Sequence, residues 1–461
     1  MISDATYRAL EEIVGSLHLT RRPEDLAEHA SDATKLSFPP EAVAFPGTPE
    51  EVSRILRLAN RERFAVIPRG AGTGQSGGAL PVRGGLVLGM DRFTRILSID
   101  ADNLFARVEP GVITAHLQEE VEKQGLFYPP DPASMHISTI GGNVAECAGG
   151  LRAVKYGVTR DYVLGLEAVL PTGEIVQTGV VTAKGVVGYD LTRLLVGSEG
   201  TLAVITKVTL RLVPLPRSKK TMLAFYGDVA EAMRTVTGLV RRGVVPTTLE
   251  FLDRVCLDCV REEMGLAVPP GVEALLLMEV DGDEGLVERD AERVRKTAVA
   301  NGAVQFQTAG SRDEAERLWA ARRNVSPALQ VLRPGKVSED VVVPRSRLPD
   351  LIGFLRRISA SHGQPIAAFG HAGDGNIHVH VLLDPDLPEE RAATDRIVLE
   401  LFQEVIRMGG TLSGEHGVGI TKAPYIGLEL TRPVRDLMRR LKRAFDPNDI
   451  LNPGKILPSE S

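Results

Sequence analysis

Apolar residues recur at helical spacing in two stretches near the start of the chain. Residues 4–17 place apolar side chains three and four positions apart, which predicts a short amphipathic helix. The stretch 45–61 predicts a second helix, in which Thr48 is the N-cap and Pro49 the first helical residue. Glu51 completes a predicted capping box with Thr48, so the start of this helix is better defined than the start of the first helix.

Short apolar or alternating runs predict strands along the rest of the chain. In the first half they lie at 64–67, within 86–113, at 166–170 and 174–178, and over 202–213, with a helix predicted at 114–124. After a predicted linker at 214–216, strands alternate with amphipathic helices. The strand candidates there are 222–226, 247–251, 274–281, 304–308, 337–343, 365–371 and 376–383. This alternation indicates α+β or α/β layers, and a final helix is predicted near 432–444.

The composition is that of a soluble globular protein. A length of 461 residues suggests two or three domains, and 43% hydrophobic with 25% charged residues excludes wholesale disorder. The net charge of −6 argues against nucleic-acid binding as the main function. No apolar run approaches the ~18 residues of a membrane span, and the N-terminus lacks the features of a secretory signal. The 3 cysteines fit a reducing cytoplasm and are too few for an iron–sulfur cluster.

Eight glycines fall within residues 70–89. Gly72, Gly74 and Gly77 spell a G-x-G-x-x-G string directly after a predicted strand. A Rossmann site needs a helix to begin there, but the following Ala-Leu-Pro-Val-Arg-Gly-Gly excludes one. A glycine run without a helix can still bind phosphate through successive backbone N–H groups, with Arg69 adding charge. Taken alone, however, the string favours a flexible surface loop.

Two further glycine-rich segments change this interpretation. One reads PPDPAS at 129–134 and TIGGNVAECAGG at 139–150, and the other reads VGSEGTLAVIT at 196–206. In this order and spacing, the three segments resemble the FAD-binding domain of the vanillyl-alcohol oxidase / p-cresol methylhydroxylase superfamily. Within that superfamily the chain resembles the group of glycolate oxidase D-subunits, D-lactate dehydrogenases and D-2-hydroxyglutarate dehydrogenases, over about residues 38–461.

The resemblance implies an α+β fold class: a two-part FAD-binding domain of the p-cresol methylhydroxylase (PCMH) type, plus an α+β ferredoxin-like cap domain for the substrate. The implied divisions are an N-terminal helical segment at 1–37, the FAD-binding domain at 38–215, the cap at 216–430, and a C-terminal segment at 431–461 that returns to the FAD-binding domain. The residues implied to cradle the FAD pyrophosphate are Arg69, Gly70, Ala71, Gly72, Thr73 and Gly74. Those implied to line the flavin are Pro130, Asp131, Thr139, Gly141, Gly142, Asn143, Gly149, Gly150 and Tyr156. Glu199, Gly200 and Ile205 are implied nearer the adenosine, and Asn452 is a contact from the returning tail.

The FAD is expected to bind without a covalent bond to the first loop. Some relatives attach the flavin through a histidine in that loop, where Thr73 stands in this chain. No histidine or cysteine occurs in the sequence between residues 69 and 85.

Five of the 9 histidines lie between His362 and His416. Glycines between His371 and His378 predict a turn, so these two can face each other from adjacent strands, although His380 shares a strand face with His378 and competes. Glu415 and His416 follow in another glycine-flanked loop. Two imidazoles and a carboxylate suit a catalytic divalent-metal site, and a further histidine can move protons. The alternatives are structural histidines in turns, and Asp374 as a competing ligand.

The family pattern chooses among these options. The strings GHAGDGNIH and GEHG resemble those of metal-dependent 2-hydroxy-acid dehydrogenases, which implies metal ligands His371, His378 and Glu415 and a catalytic base His416. The same resemblance implies that Asn376 contacts substrate and that Arg322, in a W-x-x-R string, binds the substrate carboxylate, while His380 is structural. Relatives acting on 2-hydroxyglutarate carry a lysine near the position of Ser338, so a dicarboxylate substrate is disfavoured.

The implied function is oxidation of a small D-2-hydroxy acid, D-lactate or glycolate being favoured, to the 2-oxo acid by hydride transfer to flavin N5. The implied cofactors are non-covalent FAD and one divalent metal, zinc or alternatively manganese. Electrons would pass to an electron-transfer flavoprotein, a quinone or an iron–sulfur subunit. The expected setting is the cytoplasm or the membrane periphery, without nucleic acid or an integral membrane segment, and a homodimer is compatible. The alternatives are an FAD-binding subunit of a glycolate oxidase that needs an iron–sulfur partner, and a metal-dependent hydrolase.

Overall fold

Strands and helices alternate through most of the computed structural model, which describes residues 1–458. The strands are β1 (Leu19–Thr20), β2 (Ala42–Ala44), β3 (Val66–Arg69), β4 (Leu86–Gly89), β5 (Ile96–Asp100), β6 (Phe105–Val108), β7 (Leu126–Phe127), β8 (Val163–Val169), β9 (Ile175–Gly179), β10 (Val204–Arg211), β11 (Val213–Pro214), β12 (Ser218–Tyr226), β13 (Thr248–Asp253), β14 (Ala274–Gly282), β15 (Ala303–Thr308), β16 (Gly335–Val342), β17 (Ile366–His371) and β18 (Asn376–Leu383). The α-helices are α1 (Asp4–Val14), α2 (Pro23–Glu28), α3 (Pro49–Glu62), α4 (Thr114–Glu122), α5 (Ile140–Glu146), α6 (Ala153–Tyr156), α7 (Leu191–Leu195), α8 (Val229–Arg241), α9 (Arg254–Met264), α10 (Glu284–Ala300), α11 (Arg312–Ala328), α12 (Leu348–His362), α13 (Pro388–Arg407) and α14 (Arg432–Phe445). Short 3-10 turns occupy Ser16–His18, Thr159–Asp161, Leu329–Val331, Arg345–Arg347 and Ala423–Leu428.

The chain forms two compact units, and neither is one continuous stretch of sequence. Unit 1 contains Met1–Gly149, Val158–Leu215 and the residues from Glu415 onward. Unit 2 contains Gly150–Gly157 and Pro216–Gly414. The divisions expected from the sequence, after residues 37, 215 and 430, stay a prediction.

Unit 1 contains two larger sheets. In the first, of order β1-β2-β4-β3, the strands β2, β4 and β3 run parallel and β1 is antiparallel to β2. The second, β5-β6-β10-β8-β9, is antiparallel throughout. The apolar face of α3 contributes Val52, Ile55 and Leu56 to the core over the first sheet, and all three are fully buried. This core fixes β3, and with it the start of the glycine-rich loop.

The helix predicted to start at Thr48 does start there, but the Glu51 carboxylate binds a different residue from the one predicted. The Thr48 hydroxyl accepts a hydrogen bond from the backbone N–H of Glu51 at 3.2 Å. The Glu51 carboxylate accepts from the backbone N–H of Gly47 at 2.7 Å, one residue before the N-cap that a capping box would use.

The predicted single strand at 202–213 is instead divided into β10 and β11, because β11 leaves the second sheet and pairs with β7.

Unit 2 is built on one antiparallel sheet of order β15-β12-β14-β13-β17-β18-β16. Helix α9 and helix α11 pack together and share an apolar core with β12, β13 and β14. Fully buried side chains of this core include Leu257, Val260 and Leu275. Strands β13, β17 and β18 lie side by side in the sheet, so polar side chains on them can be brought close together. Among the helices of residues 1–458, none combines the length and the apolar composition required to cross a bilayer.

Candidate functional site

The glycine-rich loop that follows β3 contains no helix between residues 70 and 85, as the exclusion of a Rossmann site requires. Gly72 has φ +68°, a conformation that glycine adopts without strain. Within residues 1–458, the backbone N–H groups of residues 71–75 find no acceptor from the chain. A row of unpaired N–H groups in a tight turn is an anion-binding arrangement, which fits the pyrophosphate of FAD.

Arg69 closes one side of this loop. Its Nη2 donates to the backbone oxygen of Ser31 at 2.7 Å, whereas its buried Nη1 has no hydrogen-bond partner in the described part of the chain. Burial lowers the pKa of Arg69, and the charge of Asp32 is the largest effect that opposes this shift. A buried guanidinium with a free N–H is suited to bind a phosphate oxygen.

Helix α5 lies in the second glycine-rich segment, which sequence analysis did not assign to a helix. Thr139 is its N-cap, and its hydroxyl accepts from the backbone N–H of Gly142 at 3.3 Å. A Cβ on Gly70 would clash with the Thr139 hydroxyl, so the first two glycine-rich segments meet at this point. Gly141 is close-packed for a different reason, because a Cβ there would clash with Pro110. Asn143 is held inside unit 1 by a 2.7 Å hydrogen bond from its side chain to Thr114 Oγ1.

The remaining residues implied to contact FAD are spread over both units. Pro130 accepts from Gln118 through its backbone oxygen at 2.9 Å, and Asp131 is buried. Ile205 lies in β10, paired with β8. Gly150 and Tyr156 belong to unit 2, where the Tyr156 hydroxyl donates to Asp281 at 2.9 Å.

The C-terminal tail is hydrogen-bonded to the first and third glycine-rich segments of unit 1. The Asn452 side-chain amide donates to the backbone oxygens of Gly78 at 2.8 Å and Glu199 at 2.7 Å. Its Oδ1 is buried and has no hydrogen-bond partner among residues 1–458. One side chain therefore connects the first and third glycine-rich segments, and Gly200 follows with φ +65°.

Two buried carboxylates lie beside these segments. The Glu199 carboxylate accepts from the backbone N–H groups of Val418 and Gly419, both at 2.7 Å. Burial raises the pKa of Glu199, and these two hydrogen bonds reduce the rise. Burial, followed by the charge of Glu199, raises the pKa of Glu146 well above its ordinary value. Burial lowers the pKa of Lys455 to about 8 against the attraction of Glu199. Sequence analysis singled out Glu199 but missed Glu146.

In unit 2 the turn between β17 and β18 brings two predicted ligands together. His371 ends β17, the antiparallel pairing places His378 on β18, and their Nε2 atoms are 3.4 Å apart. Both imidazoles are buried. Zn–N bonds of about 2.0–2.1 Å at a tetrahedral angle put two nitrogen ligands about 3.3–3.4 Å apart, so this pair fits a shared metal ion.

The two competing candidates have other partners. The Nδ1 of His380 is 2.7 Å from the Ser338 hydroxyl, and its ring stacks on Phe369 at a centroid distance of 4.9 Å. Asp374 accepts from the backbone N–H of Asn376 at 3.2 Å, the local turn bond that short acidic side chains commonly form. Of the alternatives in the sequence, His378 is therefore the histidine that faces His371.

A buried carboxylate missed by sequence analysis connects this histidine pair to Arg322. Glu250, on β13, accepts from Nδ1 of His371 at 2.8 Å through Oε1 and from Nη2 of Arg322 through Oε2. Burial raises the pKa of Glu250, but the charges and hydrogen bonds of His371 and Arg322 outweigh burial and lower it overall. The Arg322 guanidinium also lies over the Phe369 ring, 4.7 Å from its centroid. The signal for Glu250 in the sequence is an acidic residue in the middle of the strand TLEFLD, whose second acidic residue, Asp253, is at the strand end.

The other residues implied for the reaction occur in both units. The Asn376 amide donates to the backbone oxygen of Val341 at 3.1 Å, and the backbone N–H of Gly414 donates to Asp340 at 2.9 Å. Glu415 and His416 follow Gly414 directly in the chain and begin the last stretch of unit 1. Within unit 1, a Cβ on Gly149 would lie 2.6 Å from Oε2 of Glu415.

Comparison with known proteins identifies the class. Residues 40–179 match the family described as "FAD binding domain", and residues 215–456 match "FAD linked oxidases, C-terminal domain". This chain belongs to the FAD-linked oxidases and is an FAD-dependent oxidoreductase. The predicted FAD-linked family and the enzyme class are therefore confirmed, and the metal-dependent hydrolase is not retained.

Individual relatives are similar over nearly the whole chain. The glycolate oxidase subunit GlcD of Bacillus subtilis (strain 168) is 46% identical over 422 residues, covering 92% of this chain and 90% of the relative. A D-lactate dehydrogenase of Anaerostipes hadrus is 35% identical over 425 residues, covering 90% and 89%. The structure of p-cresol methylhydroxylase with substrate bound superposes with a TM-score of 0.80 at 18% identity, covering 98% of this chain and 96% of the other. That last similarity concerns the fold alone, and it confirms the predicted PCMH-type two-domain fold.

Proposed function

We propose that this chain oxidises a small 2-hydroxy acid, D-lactate or glycolate, to the corresponding 2-oxo acid. The names of the relatives, a glycolate oxidase subunit and a D-lactate dehydrogenase, support the substrate class. The observation that carries the proposal lies in unit 2, where Glu250 joins a buried guanidinium to a buried imidazole pair. A guanidinium is suited to the carboxylate of a 2-hydroxy acid, and an imidazole pair is suited to a metal beside its hydroxyl.

Each protein group has a separate role in the proposed reaction. Arg322 binds the substrate carboxylate through the N–H groups that Glu250 does not occupy. Asn376 contacts the substrate, and His416 accepts the proton of the α-hydroxyl. FAD, when bound, would accept the α-hydrogen of the substrate as a hydride, so that the α-carbon–hydrogen bond breaks as the carbon–oxygen double bond forms.

We assign one divalent metal, zinc with manganese as the alternative, to His371, His378 and Glu415. Two histidines and one glutamate are a known catalytic zinc ligand set that leaves a position for substrate. A bound divalent metal lowers the pKa of a coordinated hydroxyl group. Glu415 is one peptide bond from Gly414, which is fixed to the sheet of unit 2 through Asp340. The histidine spacing of 3.4 Å supports the assignment.

We assign FAD binding, without a covalent bond, to the residues implied by the three glycine-rich segments and to Asn452. The unpaired N–H row at 71–75 and the free Nη1 of Arg69 support a pyrophosphate contact. The N-cap hydrogen bond of Thr139 and the two hydrogen bonds of Asn452 support contributions of the other two segments to FAD binding.

The substrate is proposed to carry one carboxylate. The resemblance implies a second cation near Ser338 for a dicarboxylate substrate. Here the Ser338 hydroxyl is paired with His380 instead. D-2-hydroxyglutarate should therefore be a poor substrate.

The electrons must pass to a separate acceptor, because 3 cysteines do not provide the ligands of an iron–sulfur cluster. An electron-transfer flavoprotein, a quinone or an iron–sulfur subunit would serve. A second candidate is therefore a subunit that is reduced by substrate but turns over only in an assembly. The word "subunit" in the name of the 46% identical relative favours this candidate.

Anaerobic mixing of the FAD-loaded chain with single 2-hydroxy acids tests the proposal. D-Lactate or glycolate should bleach the visible absorbance of the flavin, while L-lactate and D-2-hydroxyglutarate react far more slowly. An unchanged spectrum with every 2-hydroxy acid, in the presence of added zinc or manganese, contradicts the proposed substrate class. Bleaching without turnover by small-molecule electron acceptors supports the second candidate.

The base and the metal are tested separately. His416→Ala should retain FAD and abolish bleaching, and bleaching at the wild-type rate would exclude His416 as the base. Removal of metal by a chelator should abolish bleaching, and added zinc or manganese should restore it. A fully active metal-free protein would exclude a catalytic metal.

A further inference from the structure

Glu250 is a fully buried charged residue on the central strand β13 of unit 2. Its neighbour in the sheet is β17, with Phe251 paired to Gly370 and Leu252 paired to Phe369. This register brings the Glu250 carboxylate to His371, the last residue of β17. Arg322 reaches the same carboxylate from helix α11. Both oxygens are therefore occupied, each by a different residue of the proposed site.

We propose that Glu250 is a positioning residue that orients the metal ligand His371 and the substrate-binding Arg322 at the same time. This inference rests on the proposed function, because it assumes that these two residues bind metal and substrate. Glu250 itself contacts neither in the proposal. Its effect is exerted through the two side chains that it holds.

The hydrogen bond to His371 determines which ring nitrogen carries the proton and which carries the lone pair. An ionised carboxylate only accepts hydrogen bonds, so Nδ1 of His371 carries the hydrogen and donates it to Oε1 of Glu250. The lone pair then resides on Nε2, the atom that faces His378 at 3.4 Å. Carboxylate partners of this kind fix the tautomer and ring orientation of metal-binding histidines and raise their basicity. Glu250 thereby presents His371 to the metal in its ligating form.

The ion pair with Arg322 determines the direction of the guanidinium. One edge is held by Glu250 through Nη2, and one face lies over Phe369 at 4.7 Å. The Nε of Arg322 is buried and has no hydrogen-bond partner within residues 1–458. Arg322 itself is 5% exposed, so leaving this N–H without an acceptor is costly. A substrate carboxylate would supply the missing acceptor for this N–H.

Replacing the carboxylate by an amide keeps a buried polar side chain of nearly the same size but changes the hydrogen bonds that it can accept. The amide of Glu250→Gln can accept from only one of the two partners, because its nitrogen is a donor that opposes the other. Either His371 loses the acceptor that fixes its tautomer, or Arg322 loses its counter-charge. Removing one partner of a buried ion pair also lowers the free energy of unfolding.

A matched control exists on the neighbouring strand β14. Glu279 is also buried, and its Oε2 accepts from the Thr221 hydroxyl at 2.9 Å and from the Trp319 indole at 3.2 Å. A glutamine there keeps an oxygen acceptor for both donors. Glu279→Gln therefore makes the same chemical change in the same sheet without changing the partner of His371 or Arg322.

The experiment titrates FAD-loaded, metal-stripped protein with Co²⁺ and Zn²⁺, following the visible spectrum of bound Co²⁺. Glu250→Gln should weaken metal affinity by about 10–100-fold, alter the Co²⁺ spectrum and raise the KM for the 2-hydroxy acid. Glu279→Gln should leave all three unchanged. Wild-type affinity, spectrum and KM in Glu250→Gln would overturn the positioning role.

Two results separate this inference from the proposed function. If the wild type binds no divalent metal, the proposed metal site is wrong, and the inference fails with it. If the wild type binds metal and Glu250→Gln matches it in metal affinity, Co²⁺ spectrum and KM, only the positioning role is wrong. Should Glu250→Gln fail to fold, Glu250→Asp decides, since it keeps the charge but is one methylene too short to reach both partners. Wild-type metal affinity and KM in Glu250→Asp would overturn the inference.

Discussion

The Nε2 atoms of His371 and His378 lie 3.4 Å apart across two adjacent antiparallel strands. The rings meet nearly at right angles, with an interplanar angle of 85°. Neutral imidazoles in this arrangement can direct both lone pairs toward one point, which is what a shared ion requires. The relationship depends on the short turn after His371.

His378→Ala should weaken metal binding by more than about 100-fold, since loss of an outer partner alone costs 10–100-fold. His380→Ala is the matched control, because His380 is on the same strand and is also buried, yet contacts Ser338 and Phe369. The control should lower the free energy of unfolding by about 1–3 kcal/mol with metal affinity retained. Metal titration of both variants checks this. Equal loss in the two would contradict the assignment of His378.

Arg322→Lys should raise the KM for the 2-hydroxy acid by roughly 10–100-fold. A lysine keeps the charge but lacks the planar fork, and a hydrogen bond to a charged group contributes about 1.5–3 kcal/mol. Arg317→Lys, at an exposed position of the same helix α11, is the control and should leave the KM unchanged. Steady-state kinetics with D-lactate or glycolate measures both. An unchanged KM in Arg322→Lys would remove Arg322 from substrate binding.

Gly72→Ala should weaken FAD binding by about tenfold or more. The backbone there has φ +68°, and a Cβ would clash with the Arg69 guanidinium, so the loop must shift. A displacement that costs about 1.4 kcal/mol of binding energy corresponds to one factor of ten. FAD titration of the apoprotein checks the effect.

Gly188→Ala separates the clash from backbone strain. Gly188 has φ +80° with nothing within 4 Å of the added Cβ, so its alanine variant has the strain without the clash. Its FAD affinity should equal that of the wild type. If both variants lose FAD to the same degree, the effect is not specific to the loop.

Glu146→Gln should raise the free energy of unfolding, and the gain should grow with pH above about 4.5. Burial and Glu199 raise the pKa of the folded Glu146, so the folded state binds more protons than the unfolded state as pH rises from the ordinary value of 4.5. The free energy of unfolding of the wild type therefore falls over that range, by up to about 1.4 kcal/mol per pH unit. Glu146→Gln has no carboxyl group to titrate at this position and does not show this loss. Urea unfolding of both proteins at several pH values between 5 and 8 measures it. A difference that is constant with pH would contradict the raised pKa.

The sequence predicted most strands and the histidine pair because both depend on local patterns. Alternating apolar residues define the strands of unit 2, and the glycines between His371 and His378 define their turn. Helix α5 was missed because glycines 141 and 142 are poor helix formers. Its start depends on the Thr139 cap and on close packing of Gly141 against Pro110. That packing is not visible in the local sequence.

Glu250 and Glu146 could not be predicted, because their importance depends on contacts that are distant in sequence. Glu250 is 121 residues from His371 and 72 from Arg322, and only the order of strands in the sheet brings them together. Glu146 is defined by its burial beside Glu199, 53 residues further on. Hydrophobic periodicity determines which face of a strand is buried, but not which distant strand becomes its neighbour.

The pairing of the C-terminal tail with β3 has a consequence for synthesis. Strand β3 is at the edge of its sheet, and its Val66 bonds to the backbone of Ile450 and Asn452, both at 2.8 Å. A ribosome adds about 5–20 residues per second, so the edge of β3 remains unpaired for tens of seconds while unit 2 is translated. An unpaired edge is open to association with other chains during that time. Nascent chains of this protein should therefore be most prone to aggregate before residues 450–452 emerge.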